Sequence, residues 1–479
     1  MALGKKLFEF NQGDIVRGMS ASDDLSDGGY SNLTEKANIT KTPGVLYFPA
    51  PSTDASTAVA DTIIASCEDN SATYERLFLG SGGKFYGWNG TTMAVVATDA
   101  TRTFTRGITD MASYNLYTYG TSTTYVFEWN VAGASVNQTF FAFPSSSGSS
   151  TWTAAFVSHP CITYEGNIFY GNGPQLLRQT AVGGTPAEIL LLENSGEVIV
   201  ALGVDPGSGK MLISTTSRYN ASDTVNTINR VYYYDGFSNK PLKVSIVDDL
   251  VTMFKTVGSL IYVGYGQNLG YWDGSGIQFL RRVAVSLDNN DLIYKHRVTN
   301  IGSTLYLIEN TQILAHGPVY GGGGKVFYYA FKNDVNSNDF SHIANIGQNK
   351  LGLAYATSLF STWDSSSIAT ISSTTFKTNV YDFPDEVWLE RLRIIWKNTV
   401  ASNQTYGYVR FVGEDGVITS VGGAGSGVFV LKNTTGAATA VYEVNNVNIK
   451  VKQVQVELFV ESVNPGLMRI IGYGKIANE

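Results

Sequence analysis

The sequence predicts an all-β protein, a β-propeller of six or seven degenerate blades followed by a C-terminal β-sandwich. Three observations carry that reading. An aromatic run leads three times into an Asn-Gly or Asp-Gly turn: Phe85-Tyr86-Gly87-Trp88-Asn89-Gly90, Val231-Tyr232-Tyr233-Tyr234-Asp235-Gly236 and Leu269-Gly270-Tyr271-Trp272-Asp273-Gly274. Such pairs suit the left-handed positions of a tight hairpin turn, and the flanking aromatic and apolar residues prefer strands. Next, Gly258-Ser259-Leu260-Ile261-Tyr262-Val263-Gly264 and Gly302-Ser303-Thr304-Leu305-Tyr306-Leu307-Ile308 begin 44 residues apart, the length of one four-stranded blade. Glu165-Gly166-Asn167-Ile168-Phe169-Tyr170-Gly171 is a looser third copy. The composition agrees, with 50 Gly, 28 Tyr and 24 Phe but only 15 % charged residues, as many short strands and polar turns require. A β-helix has shorter coils, and stacked sandwiches need no internal copy, so both fit the spacing less well.

Residues 1–45 read as an extended arm. Asp14 to Glu35 is polar and lacks periodic apolar positions, so it cannot form its own core. Leu7, Phe8 and Phe10 are its anchors, expected to be ordered against neighbouring subunits. Residues 46–371 form the propeller. Val45 to Phe48 is its first strand, and strand signals then recur every eight to fifteen residues or so from about 60 to 365. Helix is confined to a few turns near Asp334 to His342. The pattern changes near 372, and residues 372–479 form the sandwich. There Leu392, Ile394 and Trp396 share one face of a strand while Arg391 and Arg393 share the other. Val447 to Leu458 alternates over its whole length, with Ile449 and Val451 on one face and a bulge expected around Gln453.

The chemistry in the chain is sparse. Net charge is −7 and the basic residues are scattered, so sequence-specific nucleic-acid binding is not expected. Cys67 and Cys161 lack metal-ligand spacing and read as free buried thiols rather than a disulfide. The four histidines, His159, His296, His316 and His342, are never close in sequence and read as isolated turn or packing residues, although distant residues can meet near a propeller axis. The carboxylate groups Asp23-Asp24, Asp248-Asp249 and Asp382 with Asp385-Glu386 match glycosidase chemistry by type alone. Asp288-Asn289-Asn290-Asp291 lacks the Gly and distal Glu of a calcium loop. The glycine runs at 81–83, 321–324 and 422–427 lack the Lys-Ser/Thr and helix of a phosphate loop. No enzyme activity, cofactor or metal is expected. Neither a secretory signal in the run Met1 to Phe10 nor a membrane span is expected. Tyr232, Tyr233 and Tyr234 face both sides of one strand, which points to a ring at a contact surface.

The arm ending in Lys41-Thr42-Pro43-Gly44-Val45-Leu46-Tyr47-Phe48, the loose Trp-Asp-Gly and Tyr-Asp-Gly hairpins, and Val387-Trp388-Leu389-Glu390-Arg391-Leu392-Arg393-Ile394 resemble β-propeller proteins of bacteriophage tail nozzles and hubs. That resemblance implies a virion structural protein in a tail nozzle, hub or adaptor ring. It also implies a homo-oligomer that contacts other virion tail proteins and has no cofactor or catalytic residue. The alternative is a carbohydrate-active or carbohydrate-binding β-propeller, including a host receptor-binding module.

Overall fold

The computed structural model describes residues 7–12, 57–99, 102–147, 150–151, 158–192, 197–217, 228–284, 294–318, 325–332, 339–356, 359–364, 373–377, 381–400, 405–412, 418–421, 439–461 and 467–476. The chain divides into two compact units. One is Asp54–Asn310 with Asn338–Trp363, and the other is Met1–Thr53, Thr311–Ser337 and Asp364–Glu479. The sequence boundaries at 45 and 371 mark the ends of the expected blades, whereas these units follow spatial contact.

In the larger unit, five consecutive sheets are four-stranded antiparallel meanders. The first contains Ile63–Glu68, Arg76–Gly80, Lys84–Trp88 and Met93–Thr98. The second contains Met111–Tyr114, Tyr117–Thr121, Tyr125–Asn130 and Ser135–Ala142. The third contains Cys161–Tyr164, Asn167–Asn172, Gln175–Gln179 and Ala187–Leu191. The fourth contains Val198–Asp205, Lys210–Thr216, Asn229–Tyr234 and Lys243–Val247. The fifth contains Val251–Val257, Leu260–Tyr265, Asn268–Trp272 and Ile277–Arg282. The paired strands Val298–Ile301 and Thr304–Glu309 follow. The last sheet joins Phe340–Asn345, Lys350–Tyr355 and Leu359–Asp364 to the early strand Thr57–Ala58.

The inner strands are buried on both faces, because each core cluster is shared by two neighbouring sheets. Leu77, Phe85, Phe127 and Trp129 lie between the first and second sheets, and Phe169, Leu190, Ile213 and Tyr234 between the third and fourth. Hydroxyl side chains then stitch one first strand to another. Thr163 Oγ1 donates to Ser113 O at 2.5 Å, Ser113 Oγ to Glu68 O, and Thr256 Oγ1 to Val204 O at 3.0 Å. Ser and Thr suit this task because they offer one short, rotatable donor beside an apolar strand.

Two turn types recur. Gly258 and Gly302 occupy the first hairpin of successive strand pairs at φ +64° and +55°, so the 44-residue copy marks one repeated position. The Asn-Gly and Asp-Gly turns differ from the tight two-residue form expected. Only the glycines Gly90, Gly236 and Gly274 take positive φ, whereas the preceding side chain caps the loop. Asn89 Oδ1 accepts from Thr92 N, Asp235 Oδ1 from Ser238 N, and Asp273 Oδ1 from Gly276 N, each at 2.8 Å.

The expected closed β-propeller with a C-terminal β-sandwich is corrected by these sheets. Among the described residues each four-stranded sheet is separate, and none is closed or curled. Their ladders stop at well-exposed outer strands such as Lys243–Val247 and Ile277–Arg282, so neighbouring sheets meet through side chains rather than through a continuous ladder. Among the described residues the smaller unit holds, besides the paired strands Gln312–Pro318 and Lys325–Lys332, one seven-stranded antiparallel sheet instead of a sandwich. Its long central strands are Tyr381–Val400 and Thr439–Glu461, and these take up the residues that would otherwise cross to a second sheet. Leu7–Gln12, which carries Leu7, Phe8 and Phe10, pairs with Leu467–Ile476 of the same chain. The strand expected at Val45 to Phe48 and the glycine runs at 321–324 and 422–427 lie outside the described residues.

Leu392, Ile394 and Trp396 are buried on one face, as their spacing predicts, and Val451 is buried opposite Val387. The register there breaks between Asp382 and Val387, on the partner strand. Replacing Val451 by Asp places an unpaired charge in that face and is expected to cost on the order of several kcal/mol. Chemical denaturation of the variant checks this, with Lys452→Asp on the exposed side as the neutral control.

Candidate functional site

The first strands of the larger unit converge on a cavity of about 290 Å³. Ser66 and Arg76 come from the first sheet, Ile162 from the third, Leu202, Gly203 and Val204 from the fourth, and Phe254, Lys255 and Thr256 from the fifth. Val298, Thr299 and Ile343 complete the wall with Lys295 and His296, which lie on a short 3-10 turn, Lys295–Arg297. A smaller cavity of about 40 Å³ adjoins it through Leu202, Phe254, Lys295 and His296 and touches Asp110.

Asp110 is the anchor. Its Oδ1 accepts from Lys295 Nζ at 2.5 Å, from His296 Nε2 at 2.8 Å and from Met111 N at 2.7 Å, while Oδ2 accepts from Cys161 N at 2.9 Å. Lys295 Nζ also donates to Cys161 O at 3.1 Å. Burial alone would raise the Asp110 pKa, but Lys295 and His296 outweigh it and hold the carboxyl at about 2. The same partnership raises Lys295 against the opposing effect of burial. His296 Nδ1 accepts from Ser66 N at 3.4 Å, so Nε2 carries the proton it donates to Asp110. Burial lowers the His296 pKa despite Asp110, so the ring is neutral.

His342 lies next to this group, with its ring 5.6 Å from that of His296 and its Nε2 2.9 Å from Ser66 Oγ. Burial first, then His296 and Arg76, push its pKa well below the ordinary value. Arg76 donates from Nη2 to Ser66 Oγ at 3.3 Å, and its Nη1 stands 3.7 Å from Glu68 Oε1, whose side chain is 82 % exposed. Arg76 Nε is buried with no hydrogen-bond partner among the described residues. Lys255 is half-buried, and no acceptor reaches its Nζ among the described residues. Burial first, then Arg76 and Lys295 against Glu68, brings its pKa down to about 8.

The candidates read from the sequence fall elsewhere. Tyr232, Tyr233 and Tyr234, expected at a contact surface, are all buried within the chain. Tyr232 OH donates to Glu197 Oε1 at 2.9 Å, Tyr233 OH accepts from Trp272 Nε1 at 2.7 Å, and Tyr234 OH donates to Ser238 O at 2.7 Å. Leu7, Phe8 and Phe10 stay in the strand described above. His159 stacks on Phe143 at 4.0 Å and His316 on Phe327 at 4.2 Å, both as packing residues. His296 and His342 do meet. Asp23-Asp24 and Asp288-Asp291 lie outside the described residues. Cys67 and Cys161 are free and buried, and burial raises both thiols. Sequence reasoning missed Asp110, Arg76, Lys255 and Lys295. The legible signal was a lone charge beside or inside an apolar run, as in Val251-Thr252-Met253-Phe254-Lys255-Thr256-Val257.

Among the described residues no group of three or more His, Cys, Asp or Glu could hold a metal ion. No helix among them is long and apolar enough to cross a membrane, which leaves strand-built membrane proteins aside. The chain matches no protein-family model and no curated protein. It is similar in structure to the computationally designed Ika8 protein, with 10 % identity, a TM-score of 0.42, and coverage of 64 % of this chain and 98 % of that one. It is also similar to YCF48 bound to D1 peptide, with 9 % identity, a TM-score of 0.42, and coverage of 69 % and 98 %. These findings correct the resemblance to bacteriophage tail nozzle and hub proteins and the virion assembly role drawn from it. No family or curated match supports that role or the carbohydrate-binding alternative.

Two outcomes follow from the Asp110 cluster. Asp110→Asn strands Lys295 without its counter-charge and is expected to lower stability by about 3–5 kcal/mol, read by urea unfolding. The folded pKa values of His296 and His342 lie below the ordinary 6.5, so the unfolded chain takes up their protons first. Stability is therefore complete above that value and falls as pH drops through it. A second loss comes as pH falls from 3.8 towards about 2, where Asp110 is protonated. Melting temperature against pH checks both windows, and His342→Gln should flatten the upper one.

Proposed function

We propose that this chain is a non-enzymatic binding protein whose cavity takes a small anion, a phosphate or a carboxylate. The observation that carries the reading is the wall of the larger cavity. Arg76, Lys255 and Lys295 face it, and among the described residues Glu68 and Asp110 are the carboxylates that balance them. Asp110 is committed to Lys295 and His296, and Glu68 is mostly in solvent. A cation in a half-enclosed cleft attracts an anion more strongly than it would in open water. The fork of Arg76 suits a two-oxygen ligand, whereas Lys255 offers a point charge.

The non-catalytic half of the reading is supported by the company these groups keep. The His296 nitrogens are both engaged, with Asp110 and Ser66, and neither is directed at a hydroxyl or thiol as a nucleophile requires. The buried thiols of Cys67 and Cys161 are pushed away from the reactive thiolate form.

Isothermal titration with inorganic phosphate and with succinate at low ionic strength tests the reading. Lys255→Met and Arg76→Gln each remove a charge-assisted contact worth roughly 1.5–3 kcal/mol, and each should weaken binding about ten- to a hundredfold. Binding that is equal in wild type and both variants, or no binding of either anion, would refute it.

A further inference from the structure

Lys255 differs from the other two cations of the cavity. Lys295 is tied to Asp110 and Cys161 O, and Arg76 to Ser66 and Glu68, but Lys255 Nζ has no acceptor among the described residues. It sits on Val251–Val257, where the chain otherwise presents apolar residues and threonine. An amine beside other cations in a partly dry cavity is the arrangement that makes a lysine nucleophilic.

We infer that Lys255 forms a reversible imine with the carbonyl carbon of a small oxo acid, while Arg76 holds that ligand's carboxylate. This deepens the anion-binding reading and rests on it for the carboxylate. In the step, the neutral amine's lone pair attacks the carbonyl carbon and the C=O pair moves to oxygen, giving a carbinolamine. The nitrogen lone pair then forms C=N as the C–O bond breaks. Both amine protons leave with the oxygen as water, and nothing is oxidised or reduced.

The protonation balance agrees with the geometry. With its pKa near 8, roughly a tenth of Lys255 is neutral at pH 7, against about three in ten thousand for a lysine at 10.5. The charged groups around it are Arg76 and Glu68 of the first sheet and Lys295 of the 3-10 turn, with His296 and Asp110 behind Lys295.

The test is reductive trapping of the full-length protein with glyoxylate and cyanoborohydride, read as carboxymethylation by peptide mapping. At pH 7, Lys255 is expected to be modified at least about tenfold faster than the exposed Lys452, with a rate midpoint near pH 8. Succinate should protect Lys255 and leave Lys452 unaffected, and Arg76→Gln should slow only Lys255. If succinate binds by calorimetry but Lys255 is trapped no faster than Lys452, the imine is overturned and the anion site stands. If succinate neither binds nor protects, the imine in its anion site and the anion reading both fall.

Discussion

The site depends on one carboxylate. Asp110 precedes Met111–Tyr114 and gathers four donors from three places in the chain: its neighbour Met111, Cys161 of the third sheet, and Lys295 with His296 on the 3-10 turn. A buried carboxylate is costly unless it is fully paired, and here every contact is to an N–H or an ammonium. That pairing fixes the turn, the turn places Lys295 and His296 in the cavity wall, and His296 in turn accepts from Ser66 on the first sheet. Remote segments thus share one polar centre inside an otherwise apolar stack.

The surroundings of Asp110 also decide which cations remain available. Lys295 is neutralised by the carboxylate it holds, whereas Lys255 has no such partner among the described residues and Arg76 has only the exposed Glu68, 3.7 Å from its Nη1. Charge that the fold does not use internally remains for a ligand. The same logic separates the Asp110 cluster from another buried acid, Glu197. Its carboxylate is consumed by Tyr232, Thr215 and Arg230, which ties the strands of the fourth sheet together and leaves nothing to bind.

Local order was the legible part of the sequence. The aromatic hairpins, the Gly258 and Gly302 repeat, and the alternation at Leu392, Ile394 and Trp396 each report short-range backbone geometry, and each is found in the strands and turns. Long-range closure was not legible. The propeller-plus-sandwich expectation assumed that a repeated meander fixes how its copies join, but hairpin chemistry constrains only neighbours in a sheet. The burial of Tyr232 to Tyr234 has a related reason. Alternation exposes one face only when the sheet has a solvent side, and this sheet is covered on both by its neighbours. His296, His342 and Asp110 carried no local mark at all, since 186 residues separate Asp110 from His296 and only the packing of first strands brings them together.

Asp110 organises the wall of a cavity that the cations Arg76 and Lys255 also line. The most direct measurement is anomalous diffraction from crystals soaked in bromide. An ordered bromide bounded by Arg76, Lys255 and Lys295, absent from Lys255→Met crystals, is the expected result. Bromide ordered only on the outer surface, with none in the cavity, would contradict it.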